Sequence, residues 1–314
     1  MSRDPERTWA AHETPTPLEP AVPVRTGPPW TVVVVMSSVI LVWGAAFSGI
    51  KVLLETLSPG GLTAGRLVIS AIVFTVMLPF LGSGKPRREP GDLWRLVVIG
   101  LTGAAGYHLA INWGEQYISA GVASLVVATM PVMVAVLAAT VLKERLGRTG
   151  VLGVLVALAG VTLLVLGSEG GLQARSVIGV LVTLLAPACW AVYTTVSKPL
   201  SARYDGVRLN LLGAWLGAVI VLPLGFGDVS RLGSLDGRGW FWLLYLGIFS
   251  SAVSYVAYVW ALQRWTASGV ASFVYLVPVS SLVWAWLLLG EVPAPLSLVG
   301  GGAVIAGVIL VQRR

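Results

Sequence analysis

The chain has 314 residues, 56% of them hydrophobic and only 11% charged, with a net charge of +7. A soluble domain is roughly 25% charged. Too few polar side chains exist to coat a globule of this length, so lipid must cover most of the outside; the mean hydropathy of +0.85 agrees. This excludes an ordinary cytosolic enzyme, a secreted disulfide scaffold and a disordered regulator. The single cysteine, Cys189, permits no internal disulfide. Two histidines without a Cys/His cluster leave a structural zinc site no ligands, and no metal or cofactor is expected.

Residues 1–29 hold Pro5, Pro15, Pro17, Pro20, Pro23, Pro28 and Pro29 among polar residues and contain no apolar run. They read as a disordered tail rather than a signal peptide. From Trp30 onward, apolar runs alternate with short polar breaks. A spanning helix needs about 20 mostly apolar residues. The runs at 30–50, 62–81, 96–116, 120–142, 149–167, 177–196, 207–226, 240–262, 267–289 and 295–312 predict ten transmembrane helices in an all-α membrane protein. The breaks carry helix-stop chemistry, as in Ser58-Pro59-Gly60-Gly61 and Pro293-Ala294-Pro295. Barrel strands would alternate in polarity, and the run Val32 to Val35 does not.

Lys and Arg set the expected orientation. With the tail in the cytoplasm, sixteen of them fall in inside segments, four fall outside (Lys51, Arg175, Arg231, Arg238), and Arg66 is left within a span. Both termini are therefore expected in the cytoplasm. The same charges account for the basic pI; they orient the protein against anionic lipid heads, and no nucleic-acid partner is expected.

An offset of 147 residues places Trp43 on Trp190, Lys51 on Lys198, Pro131 on Pro278 and Glu144 on Glu291. Gly121-Val122-Ala123-Ser124 recurs one residue out of step as Gly269-Val270-Ala271-Ser272. Each copy (30–167 and 177–312) holds five predicted helices, an odd number, so the halves are expected to be inverted about an axis in the membrane plane. Inverted repeats mark carriers that alternate access around a midplane site.

These residues carry a resemblance. Trp43-Gly44, Phe47 and Lys51, then Arg66, Ser119-Ala120-Gly121, Pro131 and Lys143-Glu144-Arg145 form one half. Trp190-Ala191, Tyr193, Lys198, Ala267-Ser268-Gly269, Tyr275, Pro278 and Gly290-Glu291 form the other. The set resembles the EamA-type transporters of the drug/metabolite transporter superfamily across residues 30–312. The resemblance implies two five-helix repeats and export of small metabolites. Two departures stand out: Gly213 lies where the repeat would echo Arg66, and the second proline sits one residue closer to its Gly-Val-Ala-Ser.

Candidate cavity residues follow. Pro131 and Pro278 lie near midplane depth at about 1.5 Å rise per residue. Each removes a backbone hydrogen bond and frees a carbonyl, of Val127 and Val274, that should face protein or a wet cavity; a kink that only shapes packing is the alternative. His108, Asn112 and Gln116 share one face of helix 3, flanked by Tyr107 and Trp113. That face either contacts solute, Asn112 foremost, or makes interhelical hydrogen bonds. Trp43, Phe47, Trp190, Tyr193, Tyr255, Tyr258 and Tyr275 add rings from helices 1, 6, 8 and 9, while Trp30, Trp94, Trp240, Trp242 and Trp265 suit interfacial belts. An aromatic cavity suits an uncharged, zwitterionic or aromatic solute. Arg66, one turn inside helix 2, is a functional candidate, or else snorkels.

Lys51 and Glu291 fall at the outer surface, Lys198 and Glu144 at the inner one. They read as snorkelling charges, or as gating latches made and broken alternately. None of the fourteen Asp and Glu residues falls near a span centre, which leaves His108 as the one midspan titratable candidate. Movement without proton coupling is the expectation. Small-residue pairs Gly153/Ala157, Gly302/Ala306 and Ala303/Gly307 fit packing within the chain, or a homodimer seam.

The function expected is a secondary carrier, exporting a small amino-acid-like or aromatic, amphipathic metabolite around a midplane cavity. The alternatives are a passive facilitator or channel and, lacking clustered catalytic groups, an intramembrane enzyme. No GxxxxGK[ST] motif encodes ATP hydrolysis. Four Lys against seventeen Arg, with abundant Ala, Gly and Val, suits a GC-rich genome and a bacterial cytoplasmic membrane.

Overall fold

The computed structural model describes residues 29–82, 89–141, 148–167, 173–265 and 267–312. It is all helical, with no strand among the described residues. In chain order the helices are α1 (Trp30–Leu54), α2 (Pro59–Leu81) and α3 (Asp92–Gly114). Then come α4 in two pieces (Ala120–Val127 and Met130–Val141), α5 (Arg148–Gly167) and α6 (Ala174–Leu200). The last four are α7 (Gly206–Leu232), α8 (Gly237–Arg264), α9 (Gly269–Leu289) and α10 (Pro295–Gln312). Among the described residues, eight are long and apolar enough to cross a membrane; α4 and α10 are shorter apolar helices over Ala120–Val134 and Pro295–Leu310. Large apolar side chains such as Trp30, Phe80, Leu93 and Trp286 stand exposed around the bundle. That surface fits hydrocarbon and not water.

Helix starts depart from the hydropathy boundaries for local reasons. α2 begins at Pro59, because the Ser58 hydroxyl accepts from the Gly61 amide and Pro suits the first helical position. Gly60 and Gly61, which read as a break, are therefore helical. They are glycines because α7 lies against them: a Cβ on Gly60 would sit 2.5 Å from the Leu224 carbonyl oxygen. α7 likewise starts at Gly206, where the Asp205 carboxylate accepts from the Arg208 amide.

Two helices carry wide turns that periodicity does not reveal. α3 is π-helical over Gly100–Gly106 and α8 over Leu246–Val253. The two helices whose midspan prolines recur in the repeat also break, whereas α6 runs unbroken past Pro187. α4 has a turn at Ala128 and Thr129, just before Pro131, and α9 tightens to 3-10 over Phe273–Leu276, just before Pro278. Such local departures mark functional stretches of a helix.

α5 packs chiefly on α10, α2 on α7, and α1 on α9. The α5–α10 seam consumes the small-residue pair Gly153/Ala157: a Cβ on Gly307 would stand 2.5 Å from the Gly153 carbonyl oxygen. Gly302 and Ala306 remain exposed on α10. Of the expected belt tryptophans, Trp30, Trp94 and Trp240 are exposed and Trp265 half-buried. Trp242 is a correction: it is buried against Gly49, where a Cβ would lie 2.4 Å from its ring.

Candidate functional site

The Ser-rich π-turn of α8 and the Gly-rich π-turn of α3 face a common aromatic cluster. Gly103 is required there, since a Cβ would lie 2.3 Å from the Tyr193 ring. The wide turns leave carbonyls free for side chains: the Trp43 indole N–H donates to the Ser250 carbonyl at 3.0 Å, and the Tyr255 hydroxyl donates to the Gly103 carbonyl at 2.9 Å. Trp190 is the hub. Its ring centroid lies 5.3 Å from Trp43, 5.0 Å from Tyr107, 4.8 Å from Tyr193 and 4.9 Å from Tyr255. Edge-to-face contacts of this kind add to area burial.

Trp43, Tyr107, Trp190 and Tyr255 wall a central cavity together with Phe47, Arg66, His108, Val127, Met130 and Val274. Its volume, about 30 Å³, holds roughly one water, so the centre of the bundle is closed. Val127 and Val274, four residues before Pro131 and Pro278, both line it. A wider vestibule of about 590 Å³ opens at the end of the bundle carrying Lys51 and Glu291; Glu55, Glu115, Gln116 and Arg175 also line it.

Of the residues singled out in the sequence, Trp43, Phe47, Tyr107, His108, Trp190 and Tyr255 come together at the cavity. Tyr193 lines a smaller neighbouring space and donates to Asn210 Oδ1 at 2.9 Å. Tyr258 packs behind Trp190, its hydroxyl 3.1 Å from Thr194 Oγ1. Pro131, Pro278 and Tyr275 are not wall residues; the prolines shape α4 and α9 beside the cavity. Asn112 is not among the residues lining the cavity. It is fully buried and donates to Thr63 Oγ1 at 2.8 Å, holding α3 to α2.

Arg66 does not snorkel. Its guanidinium is 2% exposed and reaches into the cavity wall. The Lys51 ammonium donates to the Glu115 carbonyl at 2.6 Å, and the Glu291 carboxylate accepts from the Gly121 amide at 3.5 Å. The two share the vestibule without an ion pair between them. Lys198 donates to the Leu262 carbonyl and, at 2.9 Å, to that of Trp265. Glu144 lies outside the described residues. Sequence reasoning missed Glu115, which is completely buried. Its signal was present: it lies seven residues after His108, on the same helical face.

A helical bundle of apolar surface, closed around an aromatic and cationic chamber below an open vestibule, is a multi-pass membrane protein of the transporter class. Comparison with known proteins gives the family. A model of the EamA-like transporter family matches residues 30–166 and 177–313. The chain belongs to that family. It is 36% identical over 275 residues to a probable terminal-alkyne amino-acid exporter of Streptantibioticus cattleyicolor, covering 88% of this chain and 91% of that protein. It is 31% identical to an uncharacterized transporter of Archaeoglobus fulgidus, covering 90% and 98%. A solved crystal structure, 22% identical, matches with a TM-score of 0.62 over 90% of this chain and 96% of the other, a likeness of fold.

Proposed function

We propose that the protein is a secondary carrier that exports a small amino-acid-like or aromatic, amphipathic metabolite by alternating access. Its ten helices form two inverted five-helix repeats, with both termini in the cytoplasm of a bacterial cell. One observation carries this reading: His108 Nε2 lies 3.2 Å from the Tyr255 hydroxyl, and Trp43 lies 5.3 Å from Trp190. Both pairs are 147 residues apart, the offset of the repeat. Equivalent residues meet in this way on the axis that relates two halves, so the cavity sits where two interchangeable packings share a wall. The π-turns and the breaks in α4 and α9 recur at nearly the same offset. The exporter name of the Streptantibioticus relative supports the solute class.

An open pore is the competing reading, and the closed centre below a vestibule speaks against it. Proteoliposome counterflow, screened over amino acids, nucleosides and aromatic amines, tests the choice. A carrier accelerates uptake of labelled solute when unlabelled solute is trapped inside. Uptake indifferent to trapped solute would leave the facilitator. Should the carrier act as a homodimer, the exposed Gly302/Ala306 stripe is the surface left for a second copy, and crosslinking from Gly302→Cys tests it.

A further inference from the structure

Arg66 is a buried cation with no carboxylate in contact among the described residues; the buried Glu115 acts on it only from beyond ion-pair distance. The hydrogen-bond partners of Arg66 among the described residues are two hydroxyls: Nε and Nη2 donate to Ser251 Oγ at 3.3 and 3.1 Å, and Nη2 donates to Ser250 Oγ at 3.4 Å. No carboxylate among the described residues lies within ion-pair distance of it. Other arginines do find carboxylates: Arg203 pairs with Glu89 and Asp92, Arg208 with Asp205, and Arg231 with Asp228. A charge taken from water into a closed apolar chamber is costly unless an opposite charge compensates it. A guanidinium also offers a planar fork of donors matched to a carboxylate.

The cavity offers a place for an anion in direct contact with the guanidinium. Ser250 and Ser251 belong to the π-turn of α8, whose widened backbone brings both hydroxyls to the guanidinium. Arg66 and Ser250 line the same cavity as Trp43, Trp190 and Tyr255. Apolar side chains, among them Phe47, Val127, Met130 and Val274, complete much of the lining. The chamber therefore has a cationic, hydroxyl-rich pole and a greasy, aromatic remainder. The geometry points to a carboxylate subsite: when the chamber widens to admit it, Arg66, with Ser250 and Ser251, takes the single carboxylate of an amphipathic solute whose body lies against the rings. The inference rests on the carrier reading for its solute, but binding at the subsite can be measured without transport. It also makes Arg66 the selector against the amines and amides that the same aromatic walls would accept.

The test uses full-length protein in detergent at neutral pH and four matched probes: phenylalanine, 3-phenylpropionate, phenylalaninamide and phenethylamine. Binding is read by quenching of indole fluorescence, and transport by counterflow. The two carboxylates are expected to bind at least about thirtyfold more tightly than the amide and the amine, since breaking a buried charge pair costs that much or more. Arg66→Gln should erase the preference, Arg66→Lys should keep part of it, and Ser250→Ala/Ser251→Ala should weaken it while leaving Arg66 in place. The serine variant keeps the test decisive if Arg66→Gln does not fold. Equal binding of all four probes, or a carboxylate preference that survives both the arginine and the serine variants, overturns the subsite. Carboxylate-selective binding without counterflow would uphold the subsite and sink the carrier reading.

Discussion

The Lys51 ammonium holds the backbone carbonyl of Glu115, and 147 residues later Lys198 holds that of Leu262. Each lysine reaches 64 residues along the chain, from the last turn of one helix to the end of the next but one. The orphan carbonyls at a helix C-terminus attract a cation. The pair thus performs one structural task twice, at opposite ends of the bundle. Lys51→Met and Lys198→Met should each lower stability by about 1 kcal/mol, read as a drop in melting temperature. A variant that melts like wild type but loses counterflow would return these lysines to the gating role.

Asn112 makes a similar structural bond, from α3 to Thr63 of α2. Asn112→Ala should cost about 0.6–1.7 kcal/mol, the range for polar links between membrane helices, and leave the ranking of transported solutes unchanged. Altered selectivity at unchanged stability would put Asn112 back in the cavity.

Gly103 tests whether the π-turn sets the chamber wall. An added Cβ would stand 2.3 Å from the Tyr193 ring. The ring is locked by its hydroxyl bond to Asn210 and by Trp190, so the backbone must yield instead. Gly103→Ala is expected to cost about 1–3 kcal/mol, as overpacking does, and to reduce transport more than Gly302→Ala, at whose position nothing lies within 4 Å. Equal effects at the two sites would remove the claim.

Glu115 lies one residue beyond the end of α3, on the vestibule floor. Burial holds its carboxyl well above the ordinary value of 4.5, and the nearby Lys51 pulls the other way. The folded state therefore binds the proton more tightly than the unfolded chain. The stabilisation is complete below 4.5 and fades as pH rises through the elevated value. Melting temperatures of wild type and Glu115→Gln, taken across a pH series, should part on going alkaline, wild type falling further. A constant gap at every pH would show that the carboxyl does not titrate there.

The spans were legible because hydropathy alone decides which stretches enter lipid, and the scarce Trp, Lys, Pro and Glu exposed the repeat. The aromatic cluster followed from ring positions at midspan depth. Boundaries were less legible: a side-chain cap at Ser58 and the tight packing of Gly60 against α7 extend α2 where glycines read as a break. For Asn112 the sequence left solute contact and an interhelical bond both open, because a polar face turned inward meets either a neighbouring helix or a cavity, and periodicity does not separate the two. Arg66 and Glu115 depend on partners 185 and 64 residues away, Ser251 and Lys51, and no local pattern records such distances. The π-turns add one residue per turn without a hydropathy signature.

α5 and α10 touch through their main chains, with Gly160 and Gly300 so close that a methyl on either would strike the other's carbonyl. Such a seam resists shear: to slip lengthwise, one rod would have to climb over the peptide groups of its mate. The molecule consequently has a stiff spine on that flank, and the interrupted rods α4 and α9 are the members with joints. In the proposed alternating-access cycle, bending at those joints is what would widen the chamber while the spine keeps its length.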